Sequence, residues 1–272
     1  MNYAKLADYH IHTARCGHAE GTMEQYVERA LGLGLAEIGF SDHIPLYFFP
    51  PERRDPTLAM PEEQLPEYVE SVLRLRDRYP QIPIRLGLEA DYVPGHEEQL
   101  ARILDPYPWD YVYGSVHFIG DWGFDDPKHV DRYTGWDMDT LYRRYFDLIK
   151  GAAASGLFDL IGHLDVVKKF GHRPASDPTD LYREVVGTLK QAGLAIEVST
   201  AGLRKPVGEL YPAPALLAEC ARQGVPATLG SDSHKPSEVG IQFDRAIDAL
   251  RAAGYSQIVR FQGRHAIPIP LQ

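Results

Sequence analysis

The chain has 272 residues, 44% of them hydrophobic, with a formal charge of −10 and two cysteines, Cys16 and Cys220. That acidity argues against a broad nucleic-acid-binding face, which is basic, and two cysteines are too few for a disulfide framework and fit a reducing compartment. No apolar run approaches the ~18 residues of a membrane span, and the polar N-terminus does not read as a signal peptide, so the expectation is a soluble, cytoplasmic protein without a nucleic-acid or membrane partner.

The first apolar stretch, 4–12 (AKLADYHIH), carries Leu6, Ala7 and Ile11 with no helix cap ahead of them, which predicts a strand. A strand sends residues i and i+2 to one face, so His10 and His12 project side by side, as two imidazoles on one metal ion must. A helix is expected over 23–33, then a strand over 35–41 (LAEIGFS) with His43 just past its end. The Pro-rich, aromatic segment 44–60 has the length of an active-site lid, and its Tyr47, Phe48 and Phe49 can stack on a flat ring or simply anchor the loop. Helices over 62–79 and 95–104 flank a strand over 84–90 (IRLGLEA) that carries Glu89. Next come a strand over 109–118 with His117, a helix over 138–155, a strand over 159–165 with His163, and a helix over 178–192. A strand over 194–200 leads to Arg204 and a helix over 213–223. A strand over 226–231 leads to Asp232, His234 and a helix over 238–253, and a last strand is expected over 257–262 (QIVRFQ).

Strands alternating with helices mean βαβ units and a parallel sheet. About seven or eight such units in one domain spanning residues 1–272 point to a closed barrel, with an open doubly wound sheet as the alternative. His10, His12, His43, Glu89, His117, His163, Asp232 and His234 then all fall at the C-terminal ends of strands, the face on which β/α barrels build their active sites. By contrast His96, His129, His172 and His265 scatter through helices and loops. Zinc-like ions take about four N or O ligands, and catalytic ones keep a position open. The set, with His18 counted, would serve about two or three ions, a carboxylate such as Glu89 bridging a pair. Metals held close together share a hydroxide nucleophile and neutralise charge on phosphate oxygens, which is phosphoryl chemistry.

The ordered set H-x-H, a further His, S-D-H, G-x-E, S-V-H, G-H and G-S-D-x-H, from about residue 8 to 240, resembles the PHP superfamily, the polymerase and histidinol phosphatase group of metal-dependent phosphoesterases. Within it, GLEADYVPGHE, YGSVHF, IEVSTAGLRKPVGELYP and LGSDSHKPSEVG are similar to the histidinol-phosphate phosphatases. The resemblance implies a distorted (β/α)7 barrel holding three divalent ions, whether zinc, iron or manganese. It implies hydrolysis of L-histidinol phosphate, a small-molecule phosphate ester, by a metal-bridging hydroxide. It would place His10, His12, Glu89 and Asp232 on a first ion, bridge Glu89 to a second completed by His117 and His163, and put His18, His43 and His234 on a third. His18 enters mainly through the resemblance, since a loop histidine carries no such meaning by itself.

A phosphate monoester needs fixed cations, and a guanidinium can grip two oxygens at once. Arg204 (STAGLRKP), directly after a strand, is the leading candidate for substrate binding and catalysis; as a plain loop arginine it would pair with Glu209. Lys205 and Arg15 are further substrate-binding candidates, and Cys16 reads as a packing residue. Asp8, Asp42, Asp91 and Asp165 adjoin ligand histidines and are candidates to orient them, because metal-bound imidazoles donate their second N–H to a carboxylate or carbonyl. Asp42 could instead protonate the leaving alcohol or cap a turn. The alternative function is a PHP-type nuclease or nucleotide phosphoesterase, which would show a basic channel or a polymerase domain; this sequence shows neither. A non-catalytic relative would have lost ligands, and none is missing. A metal-dependent amidohydrolase shares barrel-end histidines but with less similar spacing.

Overall fold

Among the described residues seven parallel strands follow one another around a single sheet in chain order: β1 (Ala7–Asp8), β2 (Glu37–Phe40), β3 (Ile84–Asp91), β4 (Tyr111–Ser115), β5 (Leu160–Ile161), β6 (Ala195–Ser199) and β7 (Ala227–Gly230). The structure is a computed structural model, and it describes residues 3–271. Just past β1, the His12 amide donates to the Ser233 carbonyl (2.9 Å) and the Ser233 amide to the His10 carbonyl (3.0 Å), so the first and last strands meet. The buried Asp8 carboxylate reinforces that seam by accepting from the amides of Ser231 (3.0 Å) and Gly240 (2.8 Å). The result is a distorted (β/α)7 barrel, its strands ranging from two to eight residues.

The helices α1 (Met23–Leu33), α2 (Leu65–Arg78), α3 (Glu97–Leu104), α4 (Met138–Ser155), α5 (Thr179–Ala192), α6 (Pro214–Gln223) and α7 (Phe243–Ala253) form the outer layer. Helix α1 begins where Thr22 and Gln25 satisfy each other's amides and ends at Gly34, whose φ of 72° only glycine adopts without strain. Leu141, Tyr145, Leu148, Ile149 and Ala152 of α4 recur at helical spacing and are all buried. Among the described residues no helix is long and apolar enough to cross a membrane.

The stretch 257–262 is a strand but does not join the barrel. It forms β8 (Gln257–Gln262), paired antiparallel with β9 (His265–Pro270). Val259 and Phe261 pack with Ala7, Tyr9, Tyr111 and Leu160, residues near the beginnings of barrel strands, so the hairpin closes the N-terminal end. Arg264 fastens it by donating to Asp159 (2.9 Å), and the Gly263 amide donates to Asp110 (3.1 Å). An apolar β pattern specifies extended backbone with a buried face; it carries no information about which edge will pair with it.

Candidate active site

The C-terminal ends of the strands surround a cavity of about 570 Å³. His10 and His12 rise from the end of β1 and are completely buried beneath it. His18, His43, Glu89, His117, His163, Asp232 and His234 line it. Glu89 lies within β3, whereas His117 and His163 each follow their strand by two residues. His163 and Asp232 both have positive φ, 25° and 51°. Such backbone strain in residues with a Cβ persists only where the surroundings impose it, and it clusters at functional sites.

The buried donor atoms group into sets. His10 Nε2 lies 3.3 Å from Glu89 Oε2 and 3.9 Å from Asp232 Oδ1, while His12 Nε2 lies 3.6 Å and 3.1 Å from the same two oxygens. Four ligands held tetrahedrally at the usual Zn–N and Zn–O lengths stand about 3.3–3.4 Å apart, so the spacing fits an ion of this class. Among the described residues His10 Nε2 and His12 Nε2 have no hydrogen-bond partner although buried, a costly state unless an ion satisfies them. On the other side, Glu89 Oε1 lies 2.9 Å from His163 Nε2 and 3.5 Å from His117 Nε2, which are 3.3 Å from each other. His18 and His234 meet at their Nε2 atoms, 2.9 Å apart. His43 stands between the groups: its Nδ1 faces Glu89 Oε2 at 2.9 Å, its ring lies between those of His12 and His117, and it offers a ligand atom within 4.8 Å of those of His12 and His234.

Charge in this cluster is balanced internally. Burial would raise the Glu89 carboxyl, but His10, His43 and His117 hold it well below the ordinary range. Asp232, also opposed by burial, is held down by His10, His12 and His234.

Beneath the ligands, Asp91 Oδ1 receives His117 Nδ1 at 2.9 Å, and Asp42 Oδ1 stands 3.5 Å from His12 Nδ1. Asp8 and Asp165 brace backbone instead, Asp165 accepting from the Ala213 amide (2.8 Å) and pairing with Lys168 (2.9 Å). Glu197 has the largest orienting role, and the sequence reading passed over it because IEVS looks like a plain core strand; a carboxylate inside so apolar a run was the available signal. Its Oε1 receives His10 Nδ1 at 2.7 Å and its Oε2 the His163 amide at 2.8 Å. Gly230 makes room for it: a Cβ there would stand 1.8 Å from Glu197 Oε1. Glu197→Gln should preserve the fold yet lower metal affinity and kcat/KM by roughly 10–100-fold, the usual cost of losing a group that orients a ligand. Metal titration and steady-state kinetics check this, and wild-type values would show His10 to be positioned by packing alone.

Arg204 and Lys205 line the cavity. Arg204 Nη2 donates to the carbonyls of Ser231 (2.7 Å) and Asp232 (3.2 Å), its Nε lies 3.6 Å from Glu238, not Glu209, and its buried Nη1 has no partner. Arg15 is not brought here: the short 3-10 turn Ala14–Cys16 swings it to the outer side, where it donates to Glu67 and Ser71, both at 3.2 Å. Asp42 is wholly buried, accepts the Thr13 hydroxyl and stays below His12, so it does not reach the cavity where a leaving group would be protonated. Asp125, Lys169 and Tyr211, which the sequence reading did not single out, do line it. Lys169 Nζ pairs with Asp125 at 3.1 Å and, against the opposing effect of burial, helps hold that carboxyl down at about 2. In the 44–60 segment, Tyr47 is an anchor, its hydroxyl donating to the Asp91 carbonyl (2.7 Å). Phe49 instead lines a side chamber of about 280 Å³ with Phe118, Asp55, Asp121 and Asp126, which shares His18, His43 and His117 with the main cavity.

Residues 8–201 match the family model of the PHP domain. The chain is 45% identical, over 97% of its length and 99% of the relative's, to a Deinococcus radiodurans protein named "Probable histidinol-phosphatase". It is 30% identical to the "Histidinol-phosphatase" of Bacillus subtilis, over 89% of its length and 98% of the relative's. The solved structure of histidinol phosphate phosphatase from Lactococcus lactis, complexed with zinc, L-histidinol and phosphate, superposes with a TM-score of 0.81 at 25% identity, covering 97% of this chain and 99% of that one.

Proposed function

This chain belongs to the PHP domain family, and from that premise we propose that it is a metal-dependent phosphomonoesterase that hydrolyses L-histidinol phosphate to L-histidinol and inorganic phosphate. The observation that carries the reading is the placement of Glu89, whose two oxygens each face a different group of imidazoles on the floor of a cavity that also presents Arg204. His10, His12, Glu89 and Asp232 would hold one divalent ion, Glu89 with His117 and His163 a second, and His18, His43 and His234 a third, loaded with zinc, iron or manganese. Ions in such positions supply a water-derived nucleophile at neutral pH and offset phosphate charge. Arg204 contributes a buried, unengaged Nη1 donor for a phosphoryl oxygen, with Lys205 and Lys169 adding positive charge at the same wall. The side chamber suits the alcohol: Phe49 and Phe118 line it with aromatic surface against which an imidazole can pack, and Asp55, Asp121 and Asp126 offer carboxylates to an ammonium group.

The test is phosphate release from L-histidinol phosphate, nucleotides and sugar phosphates, together with elemental analysis. Histidinol phosphate should be the preferred substrate and about three ions should be present per chain. Chelation should abolish activity and lower the Tm, because ions bound only to the native state stabilise it. Preference for nucleotides would overturn the substrate assignment, and a single ion in fully active protein would overturn the three-ion arrangement.

A further inference from the structure

A second cavity, of about 590 Å³, lies on the flank of the barrel where the Ala14–Cys16 turn, the first turn of α1 and one face of α2 meet. It shares no lining residue with the catalytic cavity. Although the chain carries a charge of −10, Arg15, Arg74 and Arg78 line this cavity against a single acid, Glu24. Arg74 and Arg78 stand four residues apart on α2 and so share a face; Arg15 reaches across from the turn. Arg15 Nη2 and Arg74 Nη2 both donate to Ser71 Oγ, at 3.2 Å and 3.0 Å, which gathers two guanidinium groups around one oxygen. Ser71 accepts both bonds and keeps its own proton to give. The carboxylates that offset Arg15 and Arg74 are Glu67 (3.2 Å) and Glu70 (2.9 Å), about two-thirds exposed at 65% and 67%. Arg78 pairs with Glu24 at 2.9 Å. Exposed pairs of this kind are worth little and yield readily to a better anion.

We propose that this cavity is a second anion site, separate from the metal centre, that takes a phosphate dianion, either free or carried on a small organic molecule. Planar guanidinium forks grip phosphate oxygens in pairs, Ser71 supplies a hydroxyl donor, and Met23 and Leu75 offer an apolar wall to an organic remainder. The volume lies within the usual range for small-molecule pockets. The site stands apart from the phosphatase reading, because none of the residues lining it lines the cavity of the proposed metal ligands.

Calorimetric titration of the metal-loaded protein with orthophosphate and with phenylphosphonate, whose C–P bond a phosphomonoesterase does not cleave, tests the proposal. The comparison is with the double variant Arg74→Gln, Arg78→Gln; both side chains are more than half exposed, at 58% and 63%, so Tm and turnover should stay at wild-type values. Wild-type protein should show a binding event, beyond any in the catalytic cavity, that weakens about tenfold or more in the double variant, the scale of losing a charge-assisted hydrogen bond. Tighter binding of phenylphosphonate at that event assigns an organic phosphate, and tighter binding of orthophosphate assigns the free ion. If neither anion shows an event sensitive to the double substitution, the cavity is not an anion site.

Discussion

Glu89→Gln is expected to lower kcat/KM by roughly 10³–10⁴-fold, the largest effect of any single substitution in the cavity. The amide is nearly isosteric, so packing around this 1% exposed side chain should survive. What it removes is the negative charge on which His10, His12, His43, His117 and His163 converge, with contacts of 2.9–3.6 Å from both oxygens. Ions in such sites contribute several kcal/mol of transition-state stabilisation, and each 1.36 kcal/mol is about tenfold in rate. Losing a carboxylate that, on the proposed arrangement, two of them share sets the expected range. Elemental analysis of the variant should show a deficit of more than one ion. His18→Gln, which makes no contact with Glu89 and removes one imidazole beside His234 and His43, should be distinctly milder. Equal and mild effects at both positions would show that Glu89 is not shared.

Arg204→Ala is expected to reduce kcat/KM by roughly 10²–10³-fold, the scale seen when one preorganised donor to a developing charge is removed. Phosphoryl transfer is governed mainly by positioning and electrostatics, and Arg204 is well placed for both. Two hydrogen bonds to the carbonyls of Ser231 and Asp232 fix its fork, and Nη1 is left without a partner among the described residues. Arg204→Lys should restore only part of the loss, because a point charge cannot both hold those carbonyls and reach a phosphoryl oxygen. Metal content, measured alongside, separates two origins of the defect. If it stays at the wild-type value, the lost function is the grip on phosphate; if it falls, Arg204 acts by steadying Asp232. Turnover within a few-fold of wild type would move the phosphate grip to Lys205 or Lys169.

How much of this was legible in advance depended on whether the physics was local. Helix α1 matches the expected 23–33, because its ends are set locally, by the Thr22–Gln25 capping pair and Gly34. The barrel-end histidines were readable because short strands followed by ligand residues recur in a fixed relation. That Arg15 lies outside the cavity was not legible, because the sequence does not say in which sense a 3-10 turn rotates its residues. Glu197 went unnoticed because its meaning depends on residues 187 and 34 positions away, His10 and His163. The fate of 257–262 was hidden for the same reason, since its partners are the beginnings of strands scattered over the whole chain.

Glu197 and Glu89 together act as a gauge. Each carboxylate spans the gap between the group built on His10 and the group built on His163, Glu89 from above through Oε2 and Oε1, Glu197 from below through the His10 ring and the His163 amide. The distance between the two groups is thereby referred to the covalent geometry of two rigid triatomic units, which thermal breathing of a seven-stranded barrel does not stretch. Loosening of the rim loops would tilt or carry this assembly as one piece, and ions of different radius would be accommodated by the outlying imidazoles, His18 and His234, while the inner spacing is conserved.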